Sequence, residues 1–254
     1  NSFAQQTPAS KQTTAFSIEG ATAHLGDGTV IENSLIMFTD GKISFVGSAN
    51  MRIARLGKVI NAKGKHVYPG FIAANSTLGL GEIDAVKASV DVQEVGSMNP
   101  HIRSIIAYNA ESKVVESMRP NGVLMGQITP RGGRISGTSS VVQFDAWNWE
   151  DAGLKVDDGI HMNWPRSITF GRWWLGEDPS AKISKNYGKS ITDLEEYINS
   201  AKRYLSGNRN PKNLEFDAVE GLLNGSKKLF VHTHGEREII DAISFANKFN
   251  IKLV

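Results

Sequence analysis

Four groups of residues in this chain carry side chains able to do chemistry. His232 and His234 stand two apart at the end of the apolar run Lys228-Leu229-Phe230-Val231-His232. On a strand, residues two apart face the same side, so both imidazoles can reach one ion or one substrate group. The plainer alternative is that they close the strand and bond to neighbouring backbone. Arg131 and Arg134 lie in "GQITPRGGRISGTSS", Gly126 to Ser140, where backbone N–H groups and two guanidiniums can cradle an anionic part of a substrate. No Gly-Lys-Ser/Thr follows, so this is not a P-loop, and a long loop is its plainer reading. Asn75 and Thr77 in "GFIAANSTLGL" are also two apart, and their amide and hydroxyl suit a substrate better than a metal. His161 lies in a stretch with Trp147, Trp149, Trp164, Trp173 and Trp174. Such indoles form either a stacking surface for a ligand or an apolar cover or subunit interface. His161 and His101 are candidates to enter a pocket, whereas His24 and His66 read as structural.

The elements that must position these groups change in kind along the chain. Residues 1–15, rich in Gln, Thr and Ser, read as a disordered tail. Residues 16–68 read as a β-sandwich segment of short strands. Within it, Ser34 to Thr39, Asp40-Gly41 and Lys42 to Val46 form a hairpin, since Asp-Gly supplies the positive φ angles of a two-residue turn. Beyond Pro69, apolar runs alternate with helical patterns, the order expected of parallel β/α units. Asn99-Pro100 supplies a cap and first-turn proline before Ile102, Ile105 and Ile106. Leu194, Tyr197, Ile198, Ala201, Tyr204 and Leu205 share one helical face. A further helix carries Ile239, Ile240, Ile243, Ala246 and Phe249, and Ile251 to Val254 starts another strand.

Composition narrows the partners. The 254 residues carry 28 Lys and Arg against 26 Asp and Glu, with no long run of one sign, which argues against nucleic acid. No apolar run approaches the ~20 residues of a spanning helix, so no membrane partner is expected. The absence of cysteine excludes disulfides and thiolate ligands. Ser2-Phe3-Ala4 before Gln5-Gln6 has the form of a signal-peptidase site, so a periplasmic or secreted location is expected.

A β segment ending in "GKHVYPGFI" and passing directly into a barrel strand resembles the amidohydrolase superfamily, in particular its imidazolonepropionase-like branch. "VHTHGEREIIDAISFANKFNIKLV" is similar to that family's fifth strand and following helix. The resemblance implies an α/β fold: a partial TIM-like β/α barrel over residues 69–254, preceded by the small β-sandwich segment. The family's junction reads Pro-Gly-Phe-Ile-Asp-Ala-His-x-His, so Asn75 and Thr77 stand where its two metal-binding histidines stand, and Ala73 where it has aspartate.

The resemblance further implies hydrolysis of carbon–nitrogen bonds in a small cyclic or peptide-like amide. A divalent metal, zinc foremost, would be held through His232 and His234 in an altered site, and Asn75, Thr77, Arg131, Arg134 and His161 would contact substrate. The alternative is a catalytically silent relative that binds a ligand or pairs with another subunit. A barrel of this type takes ~250 residues, so the chain is expected to be an N-terminal portion. It would then form a homo-oligomer or pair with its C-terminal remainder or a paralogous subunit.

Overall fold

The computed structural model describes residues 7–254; the expected processing site at Ser2-Phe3-Ala4 lies outside them. Contacts divide the chain into two compact units, one ending at Phe71 and the other starting at Ile72. In the first, strands β1 (Phe16–His24), β2 (Val30–Thr39), β3 (Lys42–Ser48) and β4 (Lys58–Asn61) lie in the order β3-β2-β1-β4, and β5 (His66–Val67) also pairs with β1. The β2–β3 hairpin turns at Asp40 (φ 52°) and Gly41 (φ 71°), with Thr39 opposite Lys42. Both positive angles are those of the expected turn. Ala21, Ala23, Leu35, Ile36 and Met37 are buried here.

The second unit is built on one five-stranded sheet, in the order β12-β9-β8-β7-β6. Its strands are β6 (Phe71–Ser76), β7 (Val123–Ile128), β8 (Ile135–Gln143), β9 (Gly153–Asn163) and β12 (Lys228–His232), and a small hairpin of β10 (Ile168–Phe170) and β11 (Ala181–Ile183) stands apart from it. The short helices α1 (Lys113–Met118) and α2 (Trp149–Ala152) precede the longer α3 (Tyr187–Ser206), α4 (Leu214–Leu223) and α5 (Glu236–Phe249). Leu194, Ile198 and Ala201 of α3, Val219 and Leu222 of α4, and Ala242, Phe245 and Phe249 of α5 pack on Ile135, Ile160, Met162 and Leu229 of the strands. A second core gathers Ile105, Tyr108, Val115, Ile128, Val142 and Phe144. The result is a mixed α/β partial barrel, the class the sequence implies, and no described helix is long and apolar enough to cross a membrane.

Several local expectations change. β9 and β12 are parallel, but β7, β8 and β9 form an antiparallel meander, not successive β/α units. The glycine-rich stretch is accordingly the end of β7, a six-residue turn over residues 129–134, and the start of β8, not a long loop. After Asn99-Pro100 only a 3₁₀ turn, Ser104–Ala107, forms. The backbone there is drawn along β8 instead: Asn99 N–H donates to Ile135 O, and Thr138 N–H to Ile102 O. On α5 the buried stripe is Glu238, Ala242, Phe245, Ala246 and Phe249, leaving Ile239, Ile240 and Ile243 about half exposed. Residues 251–254 begin to follow β12, through Val231 N–H to Val254 O and Val254 N–H to Leu229 O. The tryptophans do not share one surface: Trp164 is in the core, whereas Trp173 and Trp174 are 72% and 64% exposed.

Two glycines let the sheet close up. At Gly159 a Cβ would lie 2.5 Å from the Phe230 ring, so glycine makes room for that ring on the neighbouring strand. Gly137 has φ +139°, and a Cβ there would lie 2.6 Å from Ile102 O. Gly137→Ala should therefore lower stability by about 2 kcal/mol or more, from backbone strain and the clash together. Urea unfolding should show a lower midpoint at unchanged slope; an unaltered midpoint would contradict this account of β8.

Candidate functional site

Every strand of the five-stranded sheet contributes to a continuous hydrogen-bonded chain, β6 through a backbone N–H and the other four through one polar side chain each. Asn75, on β6, donates its backbone N–H to Gln127 Oε1 on β7 at 3.2 Å. Gln127 Nε2 donates to Ser139 Oγ on β8 at 3.3 Å. Ser139 Oγ lies 2.8 Å from His161 Nε2 on β9, and His161 Nδ1 lies 3.1 Å from His232 Nε2 on β12. Gln127, Ser139 and His161 are buried. Polar groups that fold into a sheet interior must find partners there. Strand register supplies them, since Ser139 stands opposite Gly159 and Phe230 opposite His161.

Arg131 closes one end of the chain. The turn before β8 carries it, and its own N–H donates to Val92 O at 2.6 Å. Nη1 donates to Asn75 Oδ1 at 2.5 Å and Nη2 to Asn75 O at 2.6 Å. Asn75 has φ +50°, a left-handed conformation that asparagine tolerates better than most residues. That angle turns its carbonyl and its amide towards the same guanidinium.

His161 is the electrostatic centre. Its ring stacks on Phe230 at 4.7 Å and 2°. Burial first, then His232 and the charge of Arg131, push its pKa from 6.5 down to about 3. Burial, Arg131 and His234 push His232 down as well. Both imidazoles are therefore neutral at pH 7, and their mutual hydrogen bond needs one protonated and one bare nitrogen. Two proton arrangements satisfy it. If Ser139 donates to Gly159 O, which is 3.3 Å away, then His161 Nε2–H donates to Ser139 and His232 donates to His161. If Ser139 donates to His161 instead, the order reverses.

Of the expected site residues, the fold brings Asn75, Arg131, His161 and His232 together. It does not bring Thr77 with them: β6 ends at Ser76, and Thr77 opens a turn in which its carbonyl accepts from Leu80 N–H. The positive φ at Asn75 interrupts the two-residue alternation that would have paired the two. Arg134 lies off the chain, with Nη1 donating to Asn163 O at 2.7 Å. His234 follows the strand, and its backbone N–H donates to Glu238 Oε2 at 3.0 Å. Glu238, buried, also accepts from Ser167 N–H at 2.7 Å and Ser167 Oγ at 3.1 Å. Burial raises its pKa, but these hydrogen bonds outweigh burial and hold it below the usual range. Gln127, Ser139 and Glu238 were not singled out from the sequence. The available signal was polar residues inside otherwise buried strands and on a helix face.

The donor set fits a resident metal poorly. Among the described residues no three His, Cys, Asp or Glu side chains converge, whereas catalytic zinc takes three protein ligands. His161 Nδ1 and His232 Nε2 are committed to each other, and the Asn75 amide and carbonyl oxygens are committed to the Arg131 guanidinium.

The depressed pKa of His161 has a definite effect on stability. The unfolded chain binds a proton at this residue below pH 6.5 and the folded chain does not until about pH 3, so stability falls as pH falls through that window. A single proton contributes at most about 1.4 kcal/mol per pH unit. His161→Asn should flatten the pH dependence of the urea midpoint between pH 6.5 and 4; identical slopes in the two proteins would refute the assignment.

No family model and no curated protein matches the sequence. Among solved structures, an amidohydrolase from Thermotoga maritima MSB8 matches at TM-score 0.76 and 20% identity, over 93% of this chain and 63% of that one. A prolidase complexed with N-methylphosphonate-L-proline matches at TM-score 0.45 and 13% identity, over 91% of this chain and 59% of that one. This chain thus spans less than two thirds of the length of those proteins. At 20% identity the likeness to the Thermotoga amidohydrolase is one of fold.

Proposed function

We propose that this chain, with its amidohydrolase fold, forms a small-molecule binding site in which Arg131 supplies the positive charge that the family's first-strand histidines would otherwise hold as a metal ion. The observation that carries the proposal is the pair of hydrogen bonds, 2.5 and 2.6 Å, from Arg131 to Asn75. A guanidinium has five N–H donors. Those not spent on Asn75 suit a carboxylate or the carbonyl of an amide, for which charge-assisted bonds are strong and, in a paired geometry, selective. The neutral His161–His232 pair adds a polar wall that can donate or accept without adding charge. The ligand class is a small amide or carboxylate, consistent with descent from enzymes that handle such bonds.

The second reading is metal-dependent hydrolysis of a carbon–nitrogen bond. It is favoured by two imidazoles that neighbouring parallel strands, β9 and β12, bring together. Metal analysis by plasma mass spectrometry, on protein purified without chelators, separates the two. The binding reading expects no stoichiometric metal, and calorimetric binding of N-acetylglycine weakened at least tenfold by Arg131→Gln. Near-stoichiometric zinc, iron or manganese that disappears in His232→Ala would overturn it in favour of the hydrolase.

A further inference from the structure

A second site lies away from the hydrogen-bonded chain, between Arg134 and α3. A cavity of about 340 Å³ is lined by Ser97, Met98 and Arg134 and by Ser190, Asp193, Leu194 and Tyr197 of α3. The four helical residues recur at three- and four-residue steps, so one face of α3 forms that part of the lining. The volume falls at the lower end of the ~300–1,000 Å³ typical of small-molecule sites.

The lining carries two opposite charges, Arg134 and Asp193, which do not pair with each other. Arg134 is half-buried, and burial pushes its pKa down. Its side chain spends one hydrogen bond on Asn163 O, and no carboxylate among the described residues lies within ion-pair distance of it. The unspent donors of a guanidinium form strong charge-assisted hydrogen bonds with an anion that enters beside it. Asp193, on α3, accepts two hydrogen bonds from the exposed Lys189, at 2.7 and 2.8 Å. Such an exposed pair is worth little and leaves carboxylate lone pairs free. Met98, Leu194 and Tyr197 supply the apolar part of the lining, and all three pack on the apolar core. The Tyr197 hydroxyl is buried without a hydrogen-bond partner.

We propose that this cavity binds a small zwitterion with an apolar side chain, of the size and kind of a free α-amino acid. Its carboxylate meets the Arg134 guanidinium, its ammonium meets Asp193, and its side chain lies against Leu194, Met98 and Tyr197. Opposite charges lining one cavity favour a molecule carrying both: a carboxylate takes up the unspent donors of Arg134, and an ammonium takes the lone pairs that Lys189 leaves free on Asp193.

Isothermal titration with L-leucine tests this, beside 4-methylpentanoate and 3-methylbutylamine, which keep one charge each. The expected result is binding of leucine, with each single-charge analogue at least tenfold weaker. Arg134→Gln should abolish leucine binding. Asp193→Asn, an exposed helical change that should leave the circular dichroism spectrum unaltered, should erase the preference for leucine over 4-methylpentanoate. No leucine binding at millimolar concentration would overturn the proposal, as would equal binding of the carboxylate alone to the unaltered protein. Leucine binding that survives Asp193→Asn with its preference intact, or that is lost in Arg131→Gln, would place the ligand elsewhere and equally overturn it. The Arg131 arm keeps this site separable from the proposed amide or carboxylate site.

Discussion

The second unit is organised around the cost of burying polar groups inside a sheet. Gln127, Ser139 and His161 are buried on three adjacent strands, and each would cost about 1–3 kcal/mol if left without a partner. Their hydrogen bonds join end to end across β6, β7, β8, β9 and β12, so the register of every strand pair is tied to that of the next. A one-residue slip would turn each side chain to the opposite face and orphan its neighbours. The left-handed turn at Asn75 and the glycines at 137 and 159 are the local means by which backbone and rings fit that register.

Charge is concentrated at one end of this chain, on Arg131. Its field and the surrounding burial act in the same direction on His161 and His232, disfavouring protonation of both. Neutral imidazoles can then bond to each other, which two imidazolium rings cannot do. The arrangement differs from an ion site in a simple way: a metal gathers several lone pairs on one centre, whereas here each lone pair is satisfied by the next residue along.

The helices hold the sheet without entering the polar chain. Ile160 and Met162 of β9 pack with α3, α4 and α5, while His161 between them meets Ser139, Phe230 and His232. Alternation along a single strand thus gives one face to the apolar core and the other to the site. Glu238 supports the junction after β12 by accepting from Ser167 and His234, a polar role inside an otherwise apolar helix stripe.

Local pattern in the sequence determined a good deal. The Asp40-Gly41 hairpin, the strand at Lys228–His232, the long amphipathic α3 and the change of character near Pro69 all follow from turn chemistry and periodicity, which act over a few residues. The frame around "GFIAANSTLGL" also pointed to the amidohydrolase fold, and Asn75, Arg131, His161 and His232 were singled out by residue type. Tertiary structure alone decided which of these meet. Periodicity does not distinguish a parallel from an antiparallel neighbour, so the β7–β8–β9 meander and the pairing of residues 99–103 with β8 were invisible, and with them Gln127 and Ser139. Thr77 was grouped with Asn75 by a two-residue step that holds only while the strand continues. A positive φ at Asn75 and the end of β6 at Ser76 broke that step, because backbone conformation at a strand end is set by the contacts it finds and not by spacing along the chain.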